Sequence, residues 1–107
     1  MTATIKTKTA TLCRHYRPGG KLGDAALYWL DPPIMVDNWK EGGEPFDYVL
    51  LSTRDGLTDM YPADNDGTVL GWTDITTQAW TAEQLATHES LLAAEGYEIT
   101  GWGGTRA

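Results

Sequence analysis

The residues of this chain that could attack a substrate, pass a proton or hold a metal are few and scattered. Two histidines (His15 and His88), one cysteine (Cys13) and fifteen Asp and Glu are spread over 107 residues. Nucleophilic catalysis needs a hydroxyl or thiol within reach of a base that a third group orients. Cys13, Ser52 and Ser90 stand in no recognisable acyl-transfer context. There is no CxxC, no HExxH, no Walker-type loop, and no GxGxxG between a strand and a helix. Cys13 therefore reads as a small strand residue, and a lone cysteine has no internal disulfide to make. His15 and His88 fall on separate elements without ligand spacing. His88, among Leu85, Leu91 and Leu92, reads as a packed helical histidine.

One acidic run, Asp64-Asn65-Asp66-Gly67, invites a calcium reading. An EF-hand loop needs Gly at its sixth position and a bidentate Glu at its twelfth. With Gly67 sixth, Pro62 stands first and Thr73 twelfth, both of the wrong chemistry. A turn accounts for the same residues, since Asp, Asn and Gly are what turns demand. Fifteen acids make accidental carboxylate pairs numerous, and nothing selects one. The chain is accordingly expected not to be an enzyme, with no catalytic, cofactor-binding or metal-binding residue and no cofactor.

The aromatic balance is more informative. Five Trp and five Tyr accompany a single Phe. Trp and Tyr keep a polar tip for water or a partner and are enriched at interface hot spots. Tyr28, Trp29, Tyr48, Trp72 and Trp80 sit where the hydrophobic pattern wants burial. Trp39 and Trp102 have polar or Gly neighbours and are the candidate partner-binding residues. Trp39 either folds back as a lid on the core or stands out as a contact.

Charge divides the chain unevenly. Lys6, Lys8, Arg14, Arg17 and Lys21 all precede the first acid, Asp24, giving residues 1–23 a side-chain charge of +5 within a net charge of −7. Residues 24–107 carry Lys40, Arg54 and Arg106 against all fifteen acids, hence −12. Five spaced cations are not a dense basic run, so direct nucleic-acid binding is not expected. No apolar run approaches the roughly 18 residues of a membrane span, and the start lacks a signal-peptide core, so an intracellular protein without membrane attachment is expected. A homo-oligomer is left open.

The elements that must position these side chains can be read in order. Residues 2–16 are rich in Thr and β-branched residues and predict a strand with a frayed start. Residues 17–21 predict a loop, and Ala25–Leu30 an interior strand stopped by Asp31-Pro32-Pro33. The polar stretch 37–45 predicts a long connection. Phe46–Thr53, apolar or small on both parities after Asp47, predicts a central strand. Asp66-Gly67, between Asp59-Met60-Tyr61 and Thr68-Val69-Leu70, predicts a type I′ hairpin. Thr81-Ala82-Glu83-Gln84 fits a capping box, so a helix is expected over 82–95, with Gly96 as its left-handed C′ residue and Tyr97 packing back on Leu92. Tyr97, Ile99 and Gly101 predict a last strand. The whole reads as one α+β domain over 1–107, with 1–4 and 103–107 frayed. It is expected to form a mostly antiparallel sheet of four to six strands with one C-terminal helix packed on a face.

The Thr-rich basic start carries a resemblance together with Asp47-Tyr48-Val49-Leu50-Leu51-Ser52, Met60-Tyr61-Pro62-Ala63-Asp64, Gly67-Thr68-Val69-Leu70-Gly71-Trp72 and Gly96-Tyr97-Glu98-Ile99. Over roughly residues 46–100 the chain resembles small accessory proteins of unknown function encoded by tailed bacteriophages of actinobacteria. The resemblance implies a phage accessory protein in the cytoplasm of the infected host cell, and no substrate. The chain departs from that group in Leu27–Pro33 and in the loop around Trp39. The leading expectation is a small acidic non-enzymatic protein that binds a host or phage protein. The alternatives are an acidic nucleic-acid mimic that inhibits a DNA-binding protein, and a minor virion or assembly component.

Overall fold

The computed structural model describes residues 8–16, 24–36, 43–76 and 80–102, with Gly101 and Trp102 described by backbone alone. The expectations of frayed ends and of a contact at Trp39 fall outside the described residues, and so does the side chain of Trp102. Five strands and one helix follow in order: β1 (Lys8–His15), β2 (Asp24–Val36), β3 (Glu44–Arg54), β4 (Leu57–Ala63), α1 (His88–Ala94) and β5 (Tyr97–Trp102). They form one five-stranded sheet in the order β4-β3-β2-β1-β5. Every pairing is antiparallel except β1 with β5, which is parallel. The chain is α+β, as its pattern predicts. Among the described residues no helix is long and apolar enough to cross a membrane.

β3 is apolar on both parities because both of its faces are covered. Val49 and Leu51 join the larger core cluster with Tyr28, Leu30, Met60, Leu91 and Leu92. Leu50 joins a smaller cluster on the opposite face with Ala25, Leu27 and Ala63. The hairpin that leaves β3 lies at Asp55-Gly56, with Arg54 paired to Leu57 and φ of 55° and 77° at the two turn residues. Positive φ at both central residues is what a type I′ turn requires.

The hairpin expected at Asp66-Gly67 is a different structure. Gly67 does take a positive φ of 91°. Its amide bonds the Asp64 carbonyl at 3.1 Å, while Asp64 Oδ1 accepts from the amides of Asp66 (3.2 Å) and Thr68 (3.0 Å). Side-chain oxygens thus take the amides a ladder would need, and the flanking segments meet only in the single bridge Ala63↔Val69. The loop folds onto the sheet, close to Tyr16 and Leu27.

β2 is longer than expected. It continues through Asp31-Pro32-Pro33, and its register on β3 shifts from Trp29↔Tyr48 to Ile34↔Phe46. The prolines occupy this irregularity, where missing donors break no regular ladder. The Tyr97 hydroxyl donates to the Pro32 carbonyl at 2.7 Å and ties the bulged segment to β5.

The helix is shorter than expected, for a reason visible in its hydrogen bonds. The Thr81 capping box forms, with the Thr81 amide on Gln84 Oε1 (2.9 Å) and the Gln84 amide on Thr81 Oγ1 (3.3 Å). It closes only one turn, because the Leu85 carbonyl accepts from the Thr58 amide of β4 at 2.6 Å instead of extending the helix. A second box follows, in which Thr87 caps α1 and Ser90 replies to it. Ser at the N3 position departs from the usual Glu or Gln, so this second start carries a weak sequence signal. Gly96, at φ 90°, ends the helix as expected, and Tyr97 shares the core cluster with Leu92.

His88 fastens α1 to β2. Its Nε2 lies 2.8 Å from the Asp24 carbonyl, which can only accept, so Nε2 carries the proton. Nδ1 then accepts from the Tyr28 hydroxyl at 3.2 Å, and the two rings meet edge to face. Burial holds the His88 pKa below its ordinary value of 6.5, outweighing the Asp24 carbonyl and carboxylate that favour the charged ring.

Two predictions follow from these contacts. A His held neutral in the fold contributes stability that is present above its unfolded pKa and lost as pH falls below it. Chemical denaturation should therefore show wild-type stability falling between pH 7 and pH 5, with the fall reduced in His88→Leu; an identical slope in both would remove the account of the anchor. The second prediction compares two glycines. A Cβ at Gly56 meets nothing within 4 Å, so Gly56→Ala should cost only the left-handed strain of about 1 kcal/mol. A Cβ at Gly67 would collide with the Tyr16 hydroxyl, so Gly67→Ala should lower the denaturation midpoint further; equal costs would mean the loop does not rest on Tyr16.

Candidate partner-binding face

Strand alternation decides which aromatic side chains are covered. Tyr28 faces α1, so its neighbour Trp29 projects from the opposite face, where no helix lies among the described residues. Trp29 is 39% exposed and Trp72 63%, although the pattern of the chain places both in the core. Trp72 belongs to the segment that follows β4, and its ring lies edge-on to Tyr61 with centroids 5.3 Å apart. Tyr28 is buried and Tyr48 half-buried, in keeping with expectation. Trp80 is half-buried, and its indole N–H donates to Glu95 Oε2 at 2.6 Å.

The register brings these side chains into one band across the sheet. Thr11 pairs with Trp29, Trp29 with Tyr48, and Tyr48 with Ala63. Beside Tyr48 and Ala63 lies a shallow depression of about 390 Å³, bordered by Leu70, Asp47, Asp64 and Asn65. Leu70 is itself 51% exposed. Tyr61, two residues before Ala63, continues the band to Trp72. Its hydroxyl donates to Asp59 Oδ2 at 3.1 Å, and burial followed by the Asp59 charge raises its pKa. An aromatic centre with a polar, acidic rim has the anatomy of a protein-binding patch.

The chemistry-bearing residues are not brought together. The Cys13 thiol is half-buried, lies 3.5 Å from the Thr11 carbonyl, and has its pKa raised by burial, the opposite of an activated nucleophile. His15 Nε2 meets Asp24 Oδ1 at 2.6 Å on an exposed surface, while His88 is committed to its structural bonds. Among the described residues no three His, Cys, Asp or Glu are grouped to hold a metal ion. In the Asp64–Thr68 loop the carboxylates are taken up by groups of the loop itself, with Asp66 Oδ1 accepting from both the amide (3.0 Å) and hydroxyl (2.7 Å) of Thr68.

The sequence candidates and the structural ones therefore differ. Trp39 lies outside the described residues, and Trp102 is placed only as the backbone end of β5, paired with Leu12. Trp29 and Trp72 are the residues the pattern missed. For Trp29 the signal was available in Ala26-Tyr28-Leu30 and Ala25-Leu27-Trp29 being two opposite faces, but which face the helix covers is a tertiary fact. Comparison with protein-family models, curated proteins and solved structures returned no match.

Proposed function

We propose that this chain is a small non-enzymatic accessory protein that binds another protein through the Trp29–Tyr48–Trp72 face. The observation that carries this reading is the exposure of two tryptophans on the side of the sheet opposite α1. A tryptophan left partly exposed keeps apolar area in water that a partner can bury, which is how such residues become binding hot spots. The resemblance to accessory proteins of actinobacterial phages supplies the setting, the cytoplasm of an infected cell, and makes the partner a host or phage protein. A second reading, an acidic mimic that occupies a basic groove, draws on the −12 carried by residues 24–107.

Affinity capture from an actinobacterial lysate with wild type and with a Trp29→Ala/Trp72→Ala variant tests the proposal. The wild type should retain a specific protein, and the variant should bind it at least about 2 kcal/mol more weakly. Stability should change much less, because both rings are substantially exposed. Binding that survives the double substitution, falls steeply with salt and is competed by DNA would instead establish the acidic mimic. Recovery of the chain in purified particles would establish a virion component.

A further inference from the structure

Two Asp-Gly dipeptides stand in this chain, and the fold treats them differently. Glycine after aspartate lets the backbone nitrogen approach the side-chain carboxyl, because no Cβ shields it. At Asp66-Gly67 both of these groups are engaged. Asp66 Oδ1 accepts from the Thr68 amide (3.0 Å) and hydroxyl (2.7 Å), and the Gly67 amide donates to the Asp64 carbonyl at 3.1 Å. Bonding with Asp64, and then with Thr68, holds the Asp66 pKa well below the usual carboxylate range and so keeps the group ionised. An ionised carboxylate has no hydroxyl to lose and repels an attacking nitrogen.

At Asp55-Gly56 neither group is engaged. Both residues are exposed at the tip of the β3–β4 hairpin, with φ of 55° and 77°. The pair Arg54↔Leu57 closes the turn. Among the described residues no hydrogen bond holds the Asp55 carboxylate or the Gly56 amide. A Cβ at Gly56 would meet nothing within 4 Å, so the nitrogen and the carboxyl have room to close on each other. Two groups tethered this closely react without a second molecule to recruit.

We propose that Asp55-Gly56 is a site of spontaneous backbone rearrangement through a cyclic imide, and that the loop around Asp66-Gly67 protects that dipeptide from the same reaction. The Gly56 nitrogen attacks Cγ of the protonated Asp55 carboxyl. The N–Cγ bond forms, the Cγ–OH bond breaks, and the amide proton leaves with that hydroxyl as water. Water then opens the five-membered ring. Opening at Cγ restores Asp55, whereas opening at the former backbone carbonyl leaves the chain running through Cγ, as isoaspartate. One water leaves and one returns, so the product keeps the mass of the starting chain and no oxidant or reductant takes part. The main chain gains one carbon within a two-residue turn whose geometry sets the β3–β4 register, so the product is a less stable hairpin. This site is separate from the Trp29–Trp72 face and does not depend on it.

The full chain, incubated in water enriched in oxygen-18 at mildly acidic pH and digested into peptides that separate residues 55 and 66, gives the test by tandem mass spectrometry. Each ring opening fixes one heavy oxygen. In the folded chain, label and isoaspartate should accumulate at least about tenfold faster at Asp55 than at Asp66, because hydrogen bonds must break before Asp66 can react. In denaturant the two rates should converge. Thr68→Val removes the hydroxyl that Asp66 accepts from, and should speed conversion at Asp66 while leaving Asp55 unchanged. The isoaspartate form, once isolated, should melt below the starting chain. Equal rates in the folded chain, faster reaction at Asp66, a ratio that survives denaturation, indifference of Asp66 to Thr68→Val, or an unchanged melt of the isoaspartate form would each overturn the proposal.

Discussion

A five-stranded sheet presents two faces to water, and among the described residues one seven-residue helix is there to cover them. That shortage of cover organises the rest of the structure. The larger core forms where α1 lies, with Leu91 and Leu92 fully buried against β2, β3 and β4 side chains. His88 holds the helix in register through two hydrogen bonds to β2 that leave no choice of tautomer. So short a helix would not persist alone in water, so its existence depends on this docking. On the opposite face the Asp64–Thr68 loop lies over Leu27 and Tyr16, and beyond the loop Trp29 and Trp72 are in contact with solvent.

The same economy accounts for the segment between β4 and α1. Leu70, Ile75 and Leu85 spend backbone groups on the β4 edge and Asp74 a carboxylate oxygen, and with the Leu85 carbonyl so engaged the Thr81 turn does not grow into a longer helix. The β4 edge is protected as a result. Strand β5 arrives last, pairs in parallel with β1 and ends the sheet on the other side, with α1 beside it.

Local chemistry in the sequence was a reliable guide where one residue decides the backbone. Gly96 ends α1 and Gly67 takes positive φ because those geometries need no partner to specify them. The central strand was legible because burial on both faces leaves an unbroken apolar run. The errors arose where distant partners compete for the same groups. Thr58 takes the carbonyl that would have continued the helix from Leu85, and the Asp64 and Asp66 carboxylates take amides that would have built a second hairpin. The tight turn at Asp55-Gly56 carries the same dipeptide signal as Asp66-Gly67, and register, not composition, separates the two. The hydrophobic pattern places Trp29 and Trp72 in the core, because hydrophobicity alone cannot report which face of the sheet α1 covers.

Oxidative footprinting of the dilute monomeric chain, read residue by residue by mass spectrometry, tests the central claim most directly. It compares side chains of similar intrinsic reactivity in different settings, such as Met35, 52% exposed, with Met60, 0% exposed. The account predicts rapid modification of Trp29, Trp72 and Met35, with Met60 protected and Tyr28 slow relative to Tyr61. Protection of Trp29 and Trp72 to the level of Met60 would mean that the second face is covered, and would contradict it.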